Sequence, residues 1–490
     1  MKNEQVETQA QRRARNWKRF ISPARFWAAV LILSFWLTSA TWAQQPEPQT
    51  PAPQPPPQAN EASKPEHTIT PAEAEQLFRS VDEILRFVSK DTGLEIKHPV
   101  KRRLVSQEEV LAFLKKRMEE DGDPKRLERA SVTLKKLGLL PRDFDLQSFL
   151  LSLLEEQVAG YYDPKTKTVN LLNWVDADVQ KPVLAHELTH ALQDQNFGLE
   201  KWGDVSKKVK NDAEDMARDE ERTARQAVAE GQAMLVLLDY TLAPTGHSAA
   251  DSPDMVNALR AGMLDTGGSP VYAHSPLFLR MSLIFAYYYG TSFIHDLLVK
   301  GGPALAYSGA FQKPPLDTRQ VMHSEAYFDN VSYPQIPLAD LGKVLGKDWE
   351  RLDIGGFGEF DIKMLVEQWR DSKTADELAP TLRAGYYMTF QRKKVKDQPA
   401  CIALILRMAS PQDAQALADV YGATLGKRYA TVNPVQGSNR EWQTSEGLVK
   451  ITTQGNLLLA TESFDAETSA RLREAMLSAA DKQTAAAATH

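Results

Sequence analysis

The sequence predicts a mostly helical α+β protein, with one small β-hairpin in its first half and a small α+β unit at its C-terminal end. Three observations carry that expectation. Apolar residues recur at helical spacing through most of the stretch from residue 70 to residue 300. The period changes once, at 158–172, where two short runs flank Asp163-Pro164-Lys165-Thr166-Lys167, the signature of a hairpin turn. Beyond residue 380, strand-like runs at 385–391, 400–408, 447–453 and 457–462 alternate with helices at 411–424 and 465–479.

Composition narrows the function classes. A chain of 490 residues, 42 % hydrophobic, is long enough for two or three domains with sizeable cores. The net charge of −6 gives no reason to expect a nucleic-acid partner. A single cysteine, Cys401, excludes an internal disulfide and any Cys₂His₂ or Cys₄ zinc site. Its apolar neighbours predict a small buried hydrophobe.

Residues 1–43 have the order of a secretory signal. Basic residues up to Arg25 precede an uncharged apolar run, Phe26 to Leu37, and small residues ending at Ala43. Cleavage there predicts an exported protein: periplasmic, in the cell envelope, or secreted. The alternative is an uncleaved segment that associates the chain with a membrane. Residues 44–67, rich in Pro and Gln, predict an extended, disordered tether.

The folded part is expected to begin at Thr70-Pro71-Ala72-Glu73, an N-cap, a first-turn proline and a capping-box glutamate. A helix to about residue 88 follows, then a strand at 94–100. A second capping box at Ser106-Gln107-Glu108-Glu109 opens the next helix, and two more are expected at 124–137 and 146–157. After the hairpin comes a helix with Pro182 in its first turn. A charged helix spans about 212–240, and an apolar one runs from Leu277 to Val299. Its Tyr287-Tyr288-Tyr289 reads as core, and His295 as packed or on the surface. The expected units are 68–335 and 340–482, with a disordered tail at 483–490.

Chemistry concentrates in His186-Glu187-Leu188-Thr189-His190. Residues i and i+4 of a helix share a face, so both imidazoles aim at one point where Zn²⁺ can accept two nitrogens. Glu187 points to the side, placed to take a proton from the attacking water. Two histidines leave such a site incomplete. The third ligand is expected from Glu230, which lies among Ala227, Ala233, Met234 and Leu237 without a basic residue one turn away. A salt bridge from another element is the competing explanation. Asp219, Glu220 and Glu221 read instead as a solvated face. Small residues at 227, 229, 231 and 233 predict close approach of this helix to the one bearing the histidines.

HELTH with a later glutamate resembles the gluzincin class of zinc metallopeptidases. More narrowly, the 183–195 segment ending Gln193-Asp194-Gln195, the Ala229-Glu230-Gly231-Gln232-Ala233 stretch and the 314–323 stretch resemble a largely uncharacterised family of exported prokaryotic proteins. That family has aspartate where this chain has Gln232, and HPE where it has His323-Ser324-Glu325. The resemblance spans about residues 130–330 and implies a zincin-like metallopeptidase fold in the 68–335 unit, with the hairpin either an edge strand beside the HExxH helix or simply a cover for it.

The combined expectation is a zinc-dependent hydrolase of peptide bonds acting on a protein or peptide substrate. His186, His190 and Glu230 hold Zn²⁺, Glu187 is the general base, and His323 donates to the oxyanion. Two alternatives stand beside it: an envelope binding or scaffold protein that keeps the site without catalysis, and a hydrolase of a non-peptide amide. The C-terminal unit, with no ligand-like cluster, is expected to position substrate or bind a partner.

Overall fold

The computed structural model describes residues 68–121, 124–156, 160–205, 211–265, 269–395 and 398–487. The expected export segment 1–43 and the tether 44–67 lie outside them. The class is mixed α+β with helix predominating. Among the described residues no helix is long and apolar enough to cross a membrane.

The first helix, α1 (Pro71–Thr92), opens with the expected reciprocal cap between Thr70 and Glu73 and stops at Gly93 in the left-handed region (φ 71°). The strand expected at 94–100 is displaced. The pairing segment is β1 (Lys101–Val105), which lies parallel to β3 (Thr168–Leu172). Its basic, largely exposed residues hide it from a periodicity argument, and its partner is distant in sequence. Residues 95–98 are tied to the HExxH helix instead. Gln195 accepts from the amides of Lys97 and His98 and donates to the His98 carbonyl, while Asn196 donates to that of Glu95.

Helices α2 (Gln107–Asp121), α3 (Pro124–Lys136) and α4 (Leu146–Glu156) precede the hairpin, β2 (Tyr161–Asp163) and β3 (Thr168–Leu172). The small sheet has the order β1-β3-β2, which leaves β2 at an edge.

Helix α5 (Ala177–Phe197) starts earlier than expected, so Pro182 lies inside it rather than in its first turn. Asp176 caps it. The Gln180 amide also grips Leu172 N–H, Leu172 C=O and Val175 C=O, which fixes the opening turns ahead of the proline. Then come α6 (Asp212–Leu242), α7 (Pro253–Met263) and α8 (Leu277–Pro303), which is kinked at Gly302 (φ 68°) and runs into a π-turn at Ala304–Gly309.

The small residues of α6 serve α8 as well as α5, where the Ala229 carbonyl meets Gln193. A Cβ on Gly231 would lie 2.2 Å from the Gly290 carbonyl oxygen, and one on Gly290 would lie 2.3 Å from that of Ala227. The two backbones touch there, which only glycine allows.

The C-terminal part is an antiparallel seven-stranded sheet. Its order is β4 (Trp349–Gly356), β5 (Leu382–Arg392), β6 (Cys401–Met408), β10 (Leu457–Phe464), β9 (Gly447–Gln454), β8 (Glu441–Thr444), β7 (Val432–Pro434). Four of these strands match expected runs; β4, β7 and β8 were not expected. Helices α9 (Glu359–Trp369), α10 (Pro411–Ala423) and α11 (Ala466–Ala487) complete it, and α11 extends into the expected tail. Cys401 is buried.

The boundary expected near residue 340 does not divide two cores. Leu134, Leu137 and Leu150 share one apolar cluster with Leu404, Leu417 and Tyr421. Trp369 donates to the Leu137 carbonyl, and Arg428 to that of Lys136.

Candidate metal centre

Two helices and one strand build the centre. α5 supplies His186, Glu187 and His190 in a turn that is almost wholly buried between flanking Ala185, Leu188 and Ala191. α6 crosses it and supplies Glu230. The two Nε2 atoms lie 3.2 Å apart, and Glu230 Oε2 is 3.4 Å from His186 Nε2 and 3.3 Å from His190 Nε2. Among the described residues this is the one group of three or more His, Cys, Asp or Glu side chains whose ligand atoms converge in this way.

The triangle fits zinc. Bonds of about 2.0–2.1 Å in a tetrahedral site set ligand atoms about 3.3–3.4 Å apart. A second observation points the same way: Glu230 Oε2 is buried and has no hydrogen-bond partner. A buried oxygen in that condition costs free energy unless a cation or a donor meets it.

The electrostatics are those of a site sharing protons in place of a metal. Burial opposes charge on both partners, yet His190 is pushed up to about 9 by the Glu230 carboxylate. Glu230 in turn is held down to about 2 by His190 and His186. Burial pushes Glu187 up, against the pull of His186 and His190. A carboxyl raised in this way is better placed to take and return a proton near neutral pH.

Glu187 is positioned by the hairpin. The backbone N–H of Tyr162 on the edge strand β2 donates to Glu187 Oε2 at 2.8 Å. The hairpin is itself pinned to α5, because Tyr162 Oη and Lys167 Nζ both donate to Asp194. Tyr287, expected as core, is 2 % exposed, and its ring lies parallel to that of His186 with centroids 6.3 Å apart.

Two expectations need correction. His323 is not part of the cluster. Its Nε2 is 2.5 Å from Glu359 Oε1, and Arg319 pairs with the other oxygen of that carboxylate at 2.9 Å. The same segment is anchored to α6 at Glu220, which accepts from Thr318 N–H and Oγ1. Glu220 and Glu230 are separated by about 15 Å of helix axis. His323 therefore belongs to a junction with α9, and Tyr327 donates to the Lys313 carbonyl.

The acidic run on α6 is not a solvated face either. Glu221 is 9 % exposed and pairs with Arg218 and Arg225, and Asp219 pairs with Arg222. Their partners lie three or four residues away on the same helix, a spacing the sequence displays.

Sequence reasoning passed over Gln193 and Gln232, both completely buried. Gln193 Oε1 lies 2.9 Å from His190 Nδ1, and Gln193 Nε2 donates to Gln232 Oε1 at 2.9 Å. The available signal was an amide three residues after a candidate ligand, on the same face of the helix.

No protein-family model matches this chain, and no curated protein and no solved structure matches it either. The resemblance to gluzincins therefore stands on the residues quoted for it.

Proposed function

We propose that this chain is an exported zinc-dependent hydrolase of peptide bonds, with a zincin-like catalytic part in residues 68–335. The observation that carries the proposal is the convergence of His186 Nε2, His190 Nε2 and Glu230 Oε2 beside a carboxylate held by a strand amide. Those three side chains would hold Zn²⁺. When bound, the ion supplies Lewis acidity, polarising the scissile carbonyl and lowering the pKa of water.

The remaining work falls to the protein. Glu187 uses Oε2 to accept the Tyr162 N–H, which fixes the plane of its carboxyl. Its other oxygen takes a proton from the water that adds to the carbonyl carbon. It then delivers that proton to the amide nitrogen as the C–N bond breaks and the amine leaves. An extended substrate would approach along β2, the strand that ends the small sheet. It would have to pair around Tyr162, whose N–H is already engaged.

The rival reading, a binding or scaffold protein that keeps the zinc site, draws on one observation. Glu187 has a structural task in satisfying a strand amide, and would be retained for that alone. Glu187→Gln separates the two, because an amide oxygen still accepts from Tyr162 but has no basicity. The variant is expected to bind about one Zn²⁺ per chain, fold normally and lose hydrolysis of a peptide library by at least roughly a hundredfold. Cleavage equal to wild type, or none by either protein in any assay or cell phenotype, leaves the rival.

A further inference from the structure

We propose that Gln193 and Gln232 form a two-amide relay that dictates which nitrogen of His190 faces the metal centre. Gln193 is the positioning residue for His190, and Gln232 is the positioning residue for Gln193. The inference rests on the zinc reading above.

The donor count fixes the orientation of every group. Gln193 Nε2 has two hydrogens and two acceptors, the Ala229 carbonyl at 3.0 Å and Gln232 Oε1 at 2.9 Å. Gln232 Nε2 likewise has two, the carbonyls of Ala306 at 2.7 Å and Tyr307 at 3.0 Å. Turning either amide over would set its oxygen against carbonyl oxygens in a site without water access, which costs about 1–3 kcal/mol per unmet group. Gln193 Oε1 is thereby left to face His190 Nδ1 at 2.9 Å. An amide oxygen only accepts, so Nδ1 must carry the hydrogen. In the neutral ring Nε2 then holds the lone pair, and Nε2 is the atom directed at His186 and Glu230.

The relay also accounts for a departure in the sequence. The family this chain resembles has aspartate at the position of Gln232. A carboxylate there could accept from Gln193 but has no hydrogen to offer the Ala306 and Tyr307 carbonyls. Those carbonyls belong to the π-turn at Ala304–Gly309, a wide turn of a kind that recurs at functional sites. Gln232 is the residue that can accept on one side and donate twice on the other. Its two donors to the turn hold its oxygen toward Gln193.

The test uses the full protein loaded with zinc and a competing chelator. Gln193→Met keeps the side chain's length and removes its hydrogen bonds. It is expected to weaken zinc binding about 10–100-fold. Gln232→Met should weaken it less. The double variant should be no worse than Gln193→Met within about twofold, because Gln232 acts only through Gln193. The visible spectrum of the cobalt-substituted protein should change in Gln193→Met, a signature that a purely packing role would not move.

A measurement on the wild type covers the case in which the variants fail to fold. The ¹⁵N spectrum of zinc-loaded protein should show His190 Nδ1 as the protonated nitrogen. Unchanged zinc affinity in Gln193→Met, or a protonated Nε2 with the metal on Nδ1, overturns the relay and leaves the zinc reading standing. A wild type that takes up no zinc fells both, and is told apart by that result alone.

Discussion

Two inward-facing glutamates, Glu230 and Glu462, sit in opposite surroundings. Glu462 is completely buried, and its carboxylate is saturated with donors. Arg428 Nη2 reaches both oxygens at 2.7 Å, and the hydroxyls of Tyr421 and Tyr429 take one each. The guanidinium packs near the rings of Trp369, Tyr421 and Tyr429. Burial alone would raise Glu462, but Arg428 and Lys136 hold it below the usual carboxylate range. Glu230 is also held low, but by His190 and His186, whose imidazole nitrogens lie 3.3 and 3.4 Å from its buried Oε2. In the first cluster the carboxylate is fully met, although Arg428 Nε and Nη1 are buried without a hydrogen-bond partner, and the cluster ties α10 and β10 to α3. The second is two imidazole nitrogens and a carboxylate oxygen turned toward one another, the arrangement that we propose a cation completes.

The largest expected effect falls on the incomplete cluster. His186→Ala, His190→Ala or Glu230→Ala should abolish stoichiometric zinc, read by metal analysis of the folded protein. The thermal stabilisation by added zinc should vanish with it, about 4 kcal/mol at a thousandfold excess over Kd. Glu221→Ala and Glu462→Gln should keep full occupancy. Zinc lost from folded Glu462→Gln would show that the contrast drawn between the two carboxylates is mistaken.

Next comes the complete cluster. Arg428→Met leaves Glu462 as a buried charge without its principal partner, which costs about 3–5 kcal/mol. Denaturant unfolding should show that loss while zinc per folded chain stays the same. The shared core bears on the same point. Removing residues from 340 onward would strip the apolar partners of Leu134, Leu137 and Leu150, so the shortened protein should aggregate rather than bind metal. A soluble, folded, zinc-binding 1–340 fragment would restore the view of two independent units.

A smaller effect is expected where α6 meets α8. Gly290→Ala places a Cβ against the Ala227 backbone, so the helices must separate. Overpacking of this kind costs about 1–3 kcal/mol. Because α6 carries Glu230, zinc affinity should fall along with stability. A stability loss with unaltered affinity would mean that the contact only packs the helices.

These contrasts also show what the sequence could reveal. The helix bearing His186, Glu187 and His190 was legible because its chemistry and its geometry repeat within one turn, and Glu230 because its own helix offers it no partner. The hairpin and four strands of the large sheet were legible from local pattern. What escaped was set by distant partners. β1 exists because β3 lies beside it, and β4 because β5 does. His323 had the residue type for an oxyanion donor, but Glu359, thirty-six positions away, engages it. Gln193 and Gln232 are ordinary residues whose role arises only where two helices and a π-turn meet. Glu220 and Glu221 misled for the converse reason. A charge-dense stretch reads as solvated, but here its charges pair along the helix or lie against the 318 segment.

The last and smallest prediction concerns a third kind of carboxylate setting, neither saturated with donors nor convergent on a metal triangle. Asp91 on α1 and Asp239 on α6 share a hydrogen bond. Burial, then the neighbouring Asp239 charge, pushes Asp91 up to about 7, and burial pushes Asp239 up to about 6. A carboxyl raised in the folded state binds its proton there and releases it on unfolding. Its contribution to stability is therefore fully present below the ordinary value of 3.8 and is lost as pH rises toward about 7. Asp91→Asn replaces the protonated acid with a permanent donor to Asp239. Its advantage over wild type should be absent near pH 4, grow as pH rises, and level off above pH 7, at a few degrees of melting temperature (about 2–4 °C per kcal/mol). Zinc occupancy should not change, because this pair offers no third ligand. A melting-temperature difference that shrinks from pH 4 to pH 8 would show that the pair shares no proton in the folded protein.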